Sequence, residues 1–346
     1  MLLDDRHPTA VVRQLVESPR EHELWTSWSR WLADDLSRVS DEHLVDSLDG
    51  SGILLDTDIE YPQALRDDAA RPSLLFYRGD ATLLTGRRVA VVGTRHCTER
   101  GRSIAAGIGR DLAAAGVNVV SGLALGIDAA AHRGALTAVQ HGAVGRPVAI
   151  VASGLDVVYP KANGGLWKFV ADAGVIVSES PPGTSPDRFR FPLRNRMVAA
   201  LSELVVVVES RIRGGSMITV DEALERDVPV MAVPGPVDLD ASAGTNQLLR
   251  DGALVMATND DVLTALGLSA TRRPADRRPE VRGVDRSVLS AFDSGEPLTL
   301  DMIVKRASPL GVDLAQCAMS LGRLEALGWI VVDGGWFEKL PSPPDC

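Results

Sequence analysis

The stretch from residue 88 to residue 132 constrains the fold of this chain more than any other part of the sequence. It opens with an apolar run at residues 89–92, which leads through a small glycine-containing turn into an amphipathic segment, and the same order repeats from residues 117–120 onward. Apolar runs without polar alternation are typical of strands covered on both faces, and strands that alternate with helices are typical of parallel sheets. The stretch therefore predicts a strand–helix–strand–helix unit of a doubly wound α/β domain.

Five further apolar runs extend this pattern along the chain, and helix-like segments alternate with them. The seven predicted strands are residues 89–92, 117–120, 148–151, 175–177, 204–208, 230–233 and 254–255. We expect them to form one mainly parallel sheet with helices on both faces.

Charge and composition divide the chain into four parts. Residues 1–70 hold 16 acidic and 6 basic residues, whereas the rest of the chain holds 30 of each. The net charge of −10 therefore lies in an N-terminal part that we predict to be a helical, acidic domain, and the α/β domain follows over residues 71–268. Residues 269–283, with two prolines and five arginines, predict a linker. Residues 284–340 predict three helices and a hairpin with a Gly-Gly turn, which together make a winged-helix-like domain.

The two outer domains each leave an alternative open. Trp25, Trp28 and Trp31 recur at spacings of three, which favours a buried helix face over a base-stacking platform, because stacking on nucleic acid calls for neighbouring basic residues. Over residues 284–340, five basic residues face eight acidic ones, and the predicted wing turn carries no lysine or arginine. This balance favours protein contact over DNA binding by the winged-helix-like domain.

Loops that follow the predicted strands, together with two polar stretches at residues 159–163 and 191–196, carry the candidate binding residues. Open α/β sheets bind ligands at the carboxyl ends of their strands, and a glycine-containing turn that opens a helix directs backbone N–H groups at an anion. Arginine and lysine add charge for phosphates, whereas serine and threonine hydroxyls add neutral hydrogen bonds. The candidates are Gly93, Thr94, Arg95, Ser121, Gly122, Lys161, Arg194, Asn195, Arg196, Gly215, Ser216 and Thr219. They predict an edge of the sheet that binds a chain of phosphates.

Basic residues are concentrated near the first of these loops, although the chain as a whole is acidic. Six arginines surround it in the sequence: Arg87, Arg88, Arg95, Arg100, Arg102 and Arg110. A local basic patch matters more for phosphate binding than the net charge does. Arg95, which lies in the turn itself, is the strongest candidate of the six.

The sequence lacks the motifs of common nucleotide-dependent and hydrolytic enzymes. The first loop, GTRHCTERG, departs from the GxGxxG fingerprint, and neither GxxxxGK[ST] nor GxSxG occurs. His96 and His132 have no metal partners in the sequence, and we expect His132 to be a packing residue. These observations give no convincing general acid/base pair and predict no catalytic residues, metal or cofactor.

Targeting signals are also absent from the sequence. It contains no run of eighteen apolar residues and no signal-peptide pattern at its N-terminus, and its three cysteines fit no zinc or CxxC spacing. We therefore expect a cytoplasmic protein with free thiols and no membrane span.

A series of motifs resembles those of the DNA-processing protein A family (DprA, also called Smf). The motifs are Tyr61-Pro62 through LFYRG, VAVVGTR, SGLALGID with AAH, GLDVVYPKAN, SES, FPLRNR, GGSMIT, AVPG and GTNQLLRDGA, in family order over about residues 60–257. The resemblance implies an extended Rossmann-like domain that binds single-stranded DNA, forms homodimers and helps to load the recombinase RecA onto incoming strands in natural transformation. The N-terminal (SAM-like) and winged-helix-like domains are similar to those of longer members.

The resemblance also implies which positions contact DNA. By motif match, the pocket residues are Arg95, Ser121, Gly122, Lys161, Asn195 and Arg196. The chain departs from the family pattern at Gly214, where serine is common, at Val220, where alanine is usual, and at residues 99–101, where an aromatic-Gly pair is usual. An aromatic ring that stacks on a base is therefore not expected at residues 99–101.

Two other functions are compatible with parts of the sequence. One is a nucleotide N-glycosidase (a nucleoside monophosphate phosphoribohydrolase) of the lysine-decarboxylase-like Rossmann group, whose PGGxGTxxE motif has a partial echo in Gly214-Gly215-Ser216 with Thr219 and Glu222. The preceding proline and the GT pair of that motif are missing. The other is a protein-interaction scaffold that docks partners through its outer domains.

Overall fold

The computed structural model describes residues 50–268, 278–279, 281–292, 297–333 and 335–340. The tryptophan row, nearly all of the predicted N-terminal domain and most of the predicted linker lie outside these ranges. The chain divides into two compact units, with the division between residues 269 and 270. Within the described ranges, no helix is long and apolar enough to cross a membrane.

Residues 50–268 form a nine-stranded sheet. Its strands are β1 (Gly52–Leu55), β2 (Leu74–Gly79), β3 (Arg88–Val92), β4 (Asn118–Ser121), β5 (Pro147–Ile150), β6 (Val175–Ser178), β7 (Leu204–Val207), β8 (Val230–Ala232) and β9 (Leu254–Val255). Their order in the sheet is β1-β2-β6-β5-β4-β3-β7-β8-β9. The strands from β6 to β9 in this order are parallel, whereas β2 is antiparallel to both β1 and β6. The seven predicted strands are therefore present, and β1 and β2 are additional.

Strand β1 and the short helix α1 (Gln63–Arg66) lie in the part of the chain whose acidic composition predicts the N-terminal domain. In the structure β1 pairs with β2 in the sheet, and Leu54 and Leu65 are buried in the core of the α/β unit. The segment from residue 52 therefore belongs to the α/β unit, because burying these side chains there removes their apolar surface from water.

Helices cover both faces of the sheet, which confirms the doubly wound α/β fold. Beyond α1 they are α2 (Glu99–Ala114), α3 (Ile127–Gln140), α4 (Gly164–Ala173), α5 (Arg190–Ala200), α6 (Gly215–Leu224), α7 (Asp240–Arg250) and α8 (Asn259–Ala265). One face carries α2, α3 and α8, and the other carries α5, α6 and α7. In α2, for example, Ala105, Ile108 and Leu112 recur at helical spacing and are all buried against the sheet.

The order of the strands reverses beside β3. The chain runs outward from β3 through β4, β5 and β6, and then returns to place β7 on the other side of β3. At such a reversal, the loops that leave the carboxyl ends of the two central strands separate to opposite faces of the sheet and open a crevice. The fold therefore places its crevice after β3 and β7.

The C-terminal unit is a three-helix arrangement with a small antiparallel sheet. Its elements are α9 (Val284–Ser290), β10 (Leu298–Thr299), α10 (Leu300–Ala307), α11 (Leu314–Ala326), β11 (Ile330–Asp333) and β12 (Trp336–Lys339). The sheet order β10-β12-β11 and the packing of the helices against it match the predicted winged-helix-like domain, with β10 as an additional strand. Arg323, the basic residue of α11, is paired with Asp285 of α9.

Candidate functional site

A cleft of 390 Å³ opens at the crevice after β3 and β7. Four parts of the chain line it: the loop after β3, the segment from the loop after β4 into α3, one face of α5, and the segment that leads into α6 and its first turn. Eight of the twelve predicted site residues lie in its lining: Gly93, Thr94, Arg95, Arg194, Asn195, Gly215, Ser216 and Thr219. Arg211 adds a third arginine to the cleft, and Asp128 lines it as well.

A smaller pocket of 40 Å³ adjoins the cleft and shares part of its wall. The shared residues are Arg95, Ala124, Phe191 and Arg194. The remaining lining is mostly small or apolar and includes Gly122 and Tyr159. A polar cleft and a more apolar pocket therefore lie side by side.

The loop after β3 is held by contacts across the crevice. The N–H of Thr94 donates to the carbonyl oxygen of Glu209 over 2.7 Å, and the carbonyl oxygen of Thr94 accepts from the N–H of Ile127 over 3.3 Å. The buried carboxylate of Glu209 accepts from the N–H and the hydroxyl of Thr98, over 2.9 and 2.5 Å, and Thr98 in turn caps α2. These bonds fix Arg95, which lies between Thr94 and Thr98, relative to β7.

Arg194 is the buried cation between the two cavities. It is 7% exposed, and its guanidinium occupies the space that a Cβ atom on residue 122 would take. Asp128 lies beside it and accepts a hydrogen bond from the N–H of Gly122 over 3.1 Å. Burial raises the pKa of the Asp128 carboxyl and lowers the pKa of the Arg194 guanidinium, while the attraction between the two groups favours the charged form of each.

Two aromatic side chains, which are not among the twelve predicted site residues, line the same wall. The rings of Tyr159 and Phe191 are 5.8 Å apart, and the guanidinium of Arg95 lies 4.9 Å from the centre of the Phe191 ring. Tyr159 is 39% exposed and faces the smaller pocket. Both rings belong to motifs named above, VVYPKAN and FPLRNR, and this membership could have identified them from the sequence. They supply stacking surfaces that residues 99–101 do not.

Four of the predicted residues do not line the cleft. Gly122 lines the smaller pocket, and Ser121 is fully buried with its hydroxyl donating to the carbonyl oxygen of Val91 over 2.7 Å. Lys161 is exposed at the start of a 3-10 helix (Lys161–Asn163) and lines neither cavity. Arg196 is ion-paired with the buried Glu179 and also lines neither cavity.

Only one of the six arginines around the first loop reaches the cleft. Arg87 and Arg88 lie at the start of β3, at the opposite end of the strand from the loop, and they bond Glu203 and the carbonyl oxygen of Leu201, respectively. Arg102 and Arg110 are paired with neighbouring acidic residues of α2. The first and last residues of a five-residue strand are about 13 Å apart, so Arg87 and Arg88 are kept away from the loop although they are near it in the sequence.

Asn163 stabilises the site without lining it. Its side-chain amide donates to the carbonyl oxygens of Leu123 and Ala124, over 2.9 and 3.2 Å, and so holds the loop between β4 and α3. His132 is completely buried, and burial lowers its pKa to about 4, as suits a neutral packing residue. No group of three or more potential metal ligands occurs in the part of the chain that the structure describes.

Glu222 does not face the cleft. Its carboxylate pairs with Arg226 over 2.6 Å, one turn along, and neither residue lines either cavity. The carboxylate that a nucleotide N-glycosidase would place beside the sugar is therefore not presented to the cleft by this residue.

The chain is similar to proteins that process DNA. A family model described as DNA recombination-mediator protein A matches residues 52–267. The DNA processing protein DprA of Streptococcus pneumoniae is 40% identical over 207 residues, which cover 59% of this chain and 70% of that protein. The protein Smf of Escherichia coli is 31% identical over 288 residues, which cover 81% of this chain and 75% of that protein.

Solved structures of DNA processing protein A are also similar to this chain. The X-ray structure of DprA from Streptococcus pneumoniae matches with a TM-score of 0.59 at 36% identity, over 66% of this chain and 79% of that chain. The structure of DprA from Helicobacter pylori, which concerns the single-stranded DNA binding mode of that protein, matches with a TM-score of 0.56 at 30% identity, over 62% of this chain and 95% of that chain. Since the family model covers more than half of its residues, the chain belongs to the DNA recombination-mediator protein A family.

Proposed function

We propose that this protein binds single-stranded DNA along the carboxyl edge of its sheet and acts as a recombination mediator. The observation that carries the proposal is the guanidinium of Arg95 over the Phe191 ring, on the wall shared by a polar cleft and an apolar pocket. A cation beside an aromatic ring, with space on both sides, suits a ligand that alternates phosphates and bases. The Helicobacter pylori relative, which is described as binding single-stranded DNA, supports this proposal.

The arrangement favours single strands over duplexes. Bases reach aromatic rings such as Tyr159 and Phe191 only when they are unpaired and unstacked from one another. Groups that contact phosphates alone would bind both forms, because they do not read the bases.

The same proposal extends to three further properties, which family membership supports. The protein protects incoming strands, delivers them to RecA during natural transformation, and assembles into a homodimer. We also propose that the protein binds DNA without catalysing a reaction, and that it acts in the cytoplasm. The alternative nucleotide N-glycosidase is not favoured, because Glu222 is turned to Arg226. Release of free base from nucleoside monophosphates, lost in Glu222→Gln, would restore that alternative.

Binding of a fluorescent single-stranded oligonucleotide, followed by anisotropy across a salt series with a duplex competitor, tests the proposal. We expect the duplex to compete poorly and the affinity to fall with salt, with a logarithmic slope of about 0.7 per phosphate contact. Arg95→Ala should weaken binding by about 10- to 100-fold, because a charge-assisted hydrogen bond contributes about 1.5–3 kcal/mol.

Arg100→Ala is the matched control. It removes the same charge from an exposed arginine five residues further on, which lines neither cavity. Its affinity should stay close to that of the wild type. Unchanged affinity in both Arg95→Ala and Lys161→Ala would exclude this edge as the DNA site.

A further inference from the structure

We propose that the part of the cleft at the start of α6 is a subsite for a phosphomonoester dianion. The ligand that binds there is the terminal phosphate of a single strand. The inference rests on the proposed function and deepens it, since it assigns the cleft to a strand end rather than to the middle of a strand. Its structural basis is a helix N-terminus, a buried arginine whose Nε–H lacks a hydrogen-bond partner, and an excess of positive charge.

The helix N-terminus belongs to α6, which is ten residues long. Gly214, Gly215 and Ser216 at its start line the cleft, and no atom lies within 4 Å of the place that a Cβ atom on Gly215 would take. The first N–H groups of a helix have no partners within the helix and favour an anion. The open space over Gly215 lets a phosphate approach them.

The second observation is Arg194. It lines the same cleft, is more than nine-tenths buried and lies beside Asp128, and its Nε–H is buried without a hydrogen-bond partner. A buried guanidinium N–H without a hydrogen bond is costly even beside a carboxylate, unless a ligand supplies an oxygen atom. A phosphate can do so, since it accepts several hydrogen bonds and matches the arginine fork.

The charge around the cleft matches a dianion. The lining contains three arginines, Arg95, Arg194 and Arg211, and Asp128 is its single carboxylate. The excess of two positive charges is increased by the α6 terminus, which acts as about half a charge. An internal phosphodiester carries one negative charge, whereas a phosphomonoester carries about −1.5 to −2 at pH 7. The cleft volume of 390 Å³ also lies within the range of small-molecule sites, about 300–1,000 Å³.

A competition experiment with three oligothymidylates of the same length tests the inference. One ends in hydroxyl groups, one carries a 5′-phosphate and one carries a 3′-phosphate, and each competes against the same labelled strand with hydroxyl ends. We expect one of the two phosphorylated ends to bind about tenfold more tightly than the hydroxyl-ended strand, as for one or two added charge-assisted hydrogen bonds. Thymidine monophosphate should compete better than thymidine or inorganic phosphate, because it offers both the dianion and a base.

Two variants separate the subsite from general electrostatics. Arg211→Gln should bring the ratio of affinities for phosphorylated and hydroxyl ends close to one. Arg213→Gln removes an exposed arginine two residues away that lines neither cavity, and it should keep the wild-type ratio.

The outcomes distinguish this inference from the proposed function. Equal affinity for all three ends, with tight salt-sensitive binding, would overturn the terminal-phosphate subsite and leave single-strand binding intact. Strong competition by thymidine monophosphate without any preference among strand ends would assign the subsite to free nucleotides and overturn the strand-end proposal. Failure of every oligonucleotide to bind would instead contradict the proposed function itself.

Discussion

Gly122→Ala is expected to lower the affinity for single-stranded DNA by about 10- to 100-fold, the equivalent of one charge-assisted contact at about 1.4 kcal/mol per tenfold. The guanidinium of Arg194 fills the space that the new methyl group needs, so the arginine must leave its position between the two cavities. The backbone of residue 122 itself is not in the left-handed region. The loss therefore comes from Arg194 and not from backbone strain.

Anisotropy with the same oligonucleotide measures this effect, and Gly165→Ala provides the control. Gly165 lies in α4, has open space where a Cβ atom would be placed, and lines neither cavity. Combining Gly122→Ala with Arg194→Met should cost no more affinity than Arg194→Met alone, because both changes remove the same guanidinium. Additive losses in the double variant would show that Gly122 acts independently of Arg194.

Gly134→Ala is expected to lower the stability of the α/β unit. A Cβ atom on Gly134 of α3 would meet the backbone of Ala106 in α2 at less than 3 Å, and Gly109 of α2 meets the backbone of Ala131 in the same way. The two helices therefore cross with their backbones in contact, and a methyl group must push them apart.

Overpacking of this kind typically costs about 1–3 kcal/mol, and backbone atoms cannot rotate away as a side chain can. Alanine is a better helix former than glycine by about 1 kcal/mol, which reduces the upper end of this cost, about 3 kcal/mol, to a net loss of about 2 kcal/mol. Calorimetry should show the transition of the α/β unit lowered by roughly 4–8 °C. Gly165→Ala, which adds a methyl group to a helix in open space, should leave this transition unchanged or raise it. Equal transitions in the two variants would contradict the close crossing of α2 and α3.

The central strands could be predicted because each is an apolar run that is buried on both faces, as in β5 and β7. Strand β1 was missed because it lies at the edge of the sheet, where three of its four residues are only partly buried and the apolar signal is weak. Strand β10 has two residues and depends on its pairing with β12. Such elements are decided by tertiary contacts, which a local pattern does not contain.

The lining of the cleft could be predicted from the sequence only where the position of a loop determines it. Arg95 and Asn195 follow from the rule that ligands bind at carboxyl edges, and both line the cleft. Arg196 illustrates the limit, because its partner Glu179 is 17 residues away and is brought close only by the fold. The bond from Thr98 to Glu209 spans 111 residues and is equally invisible in the sequence. Charge can be counted from a sequence, but which charges neutralise each other depends on the fold.

Photo-cross-linking tests the central claim most directly, because it reports where the strand lies. A single-stranded oligonucleotide carrying photoreactive thymine analogues would be irradiated in complex with the full chain, and the cross-linked peptides would be identified by mass spectrometry. Binding at the carboxyl edge predicts cross-links at Tyr159 and Phe191, which should decrease in Arg95→Ala in parallel with the affinity. Cross-links confined to the C-terminal unit, for example at the exposed Trp336, would contradict the account.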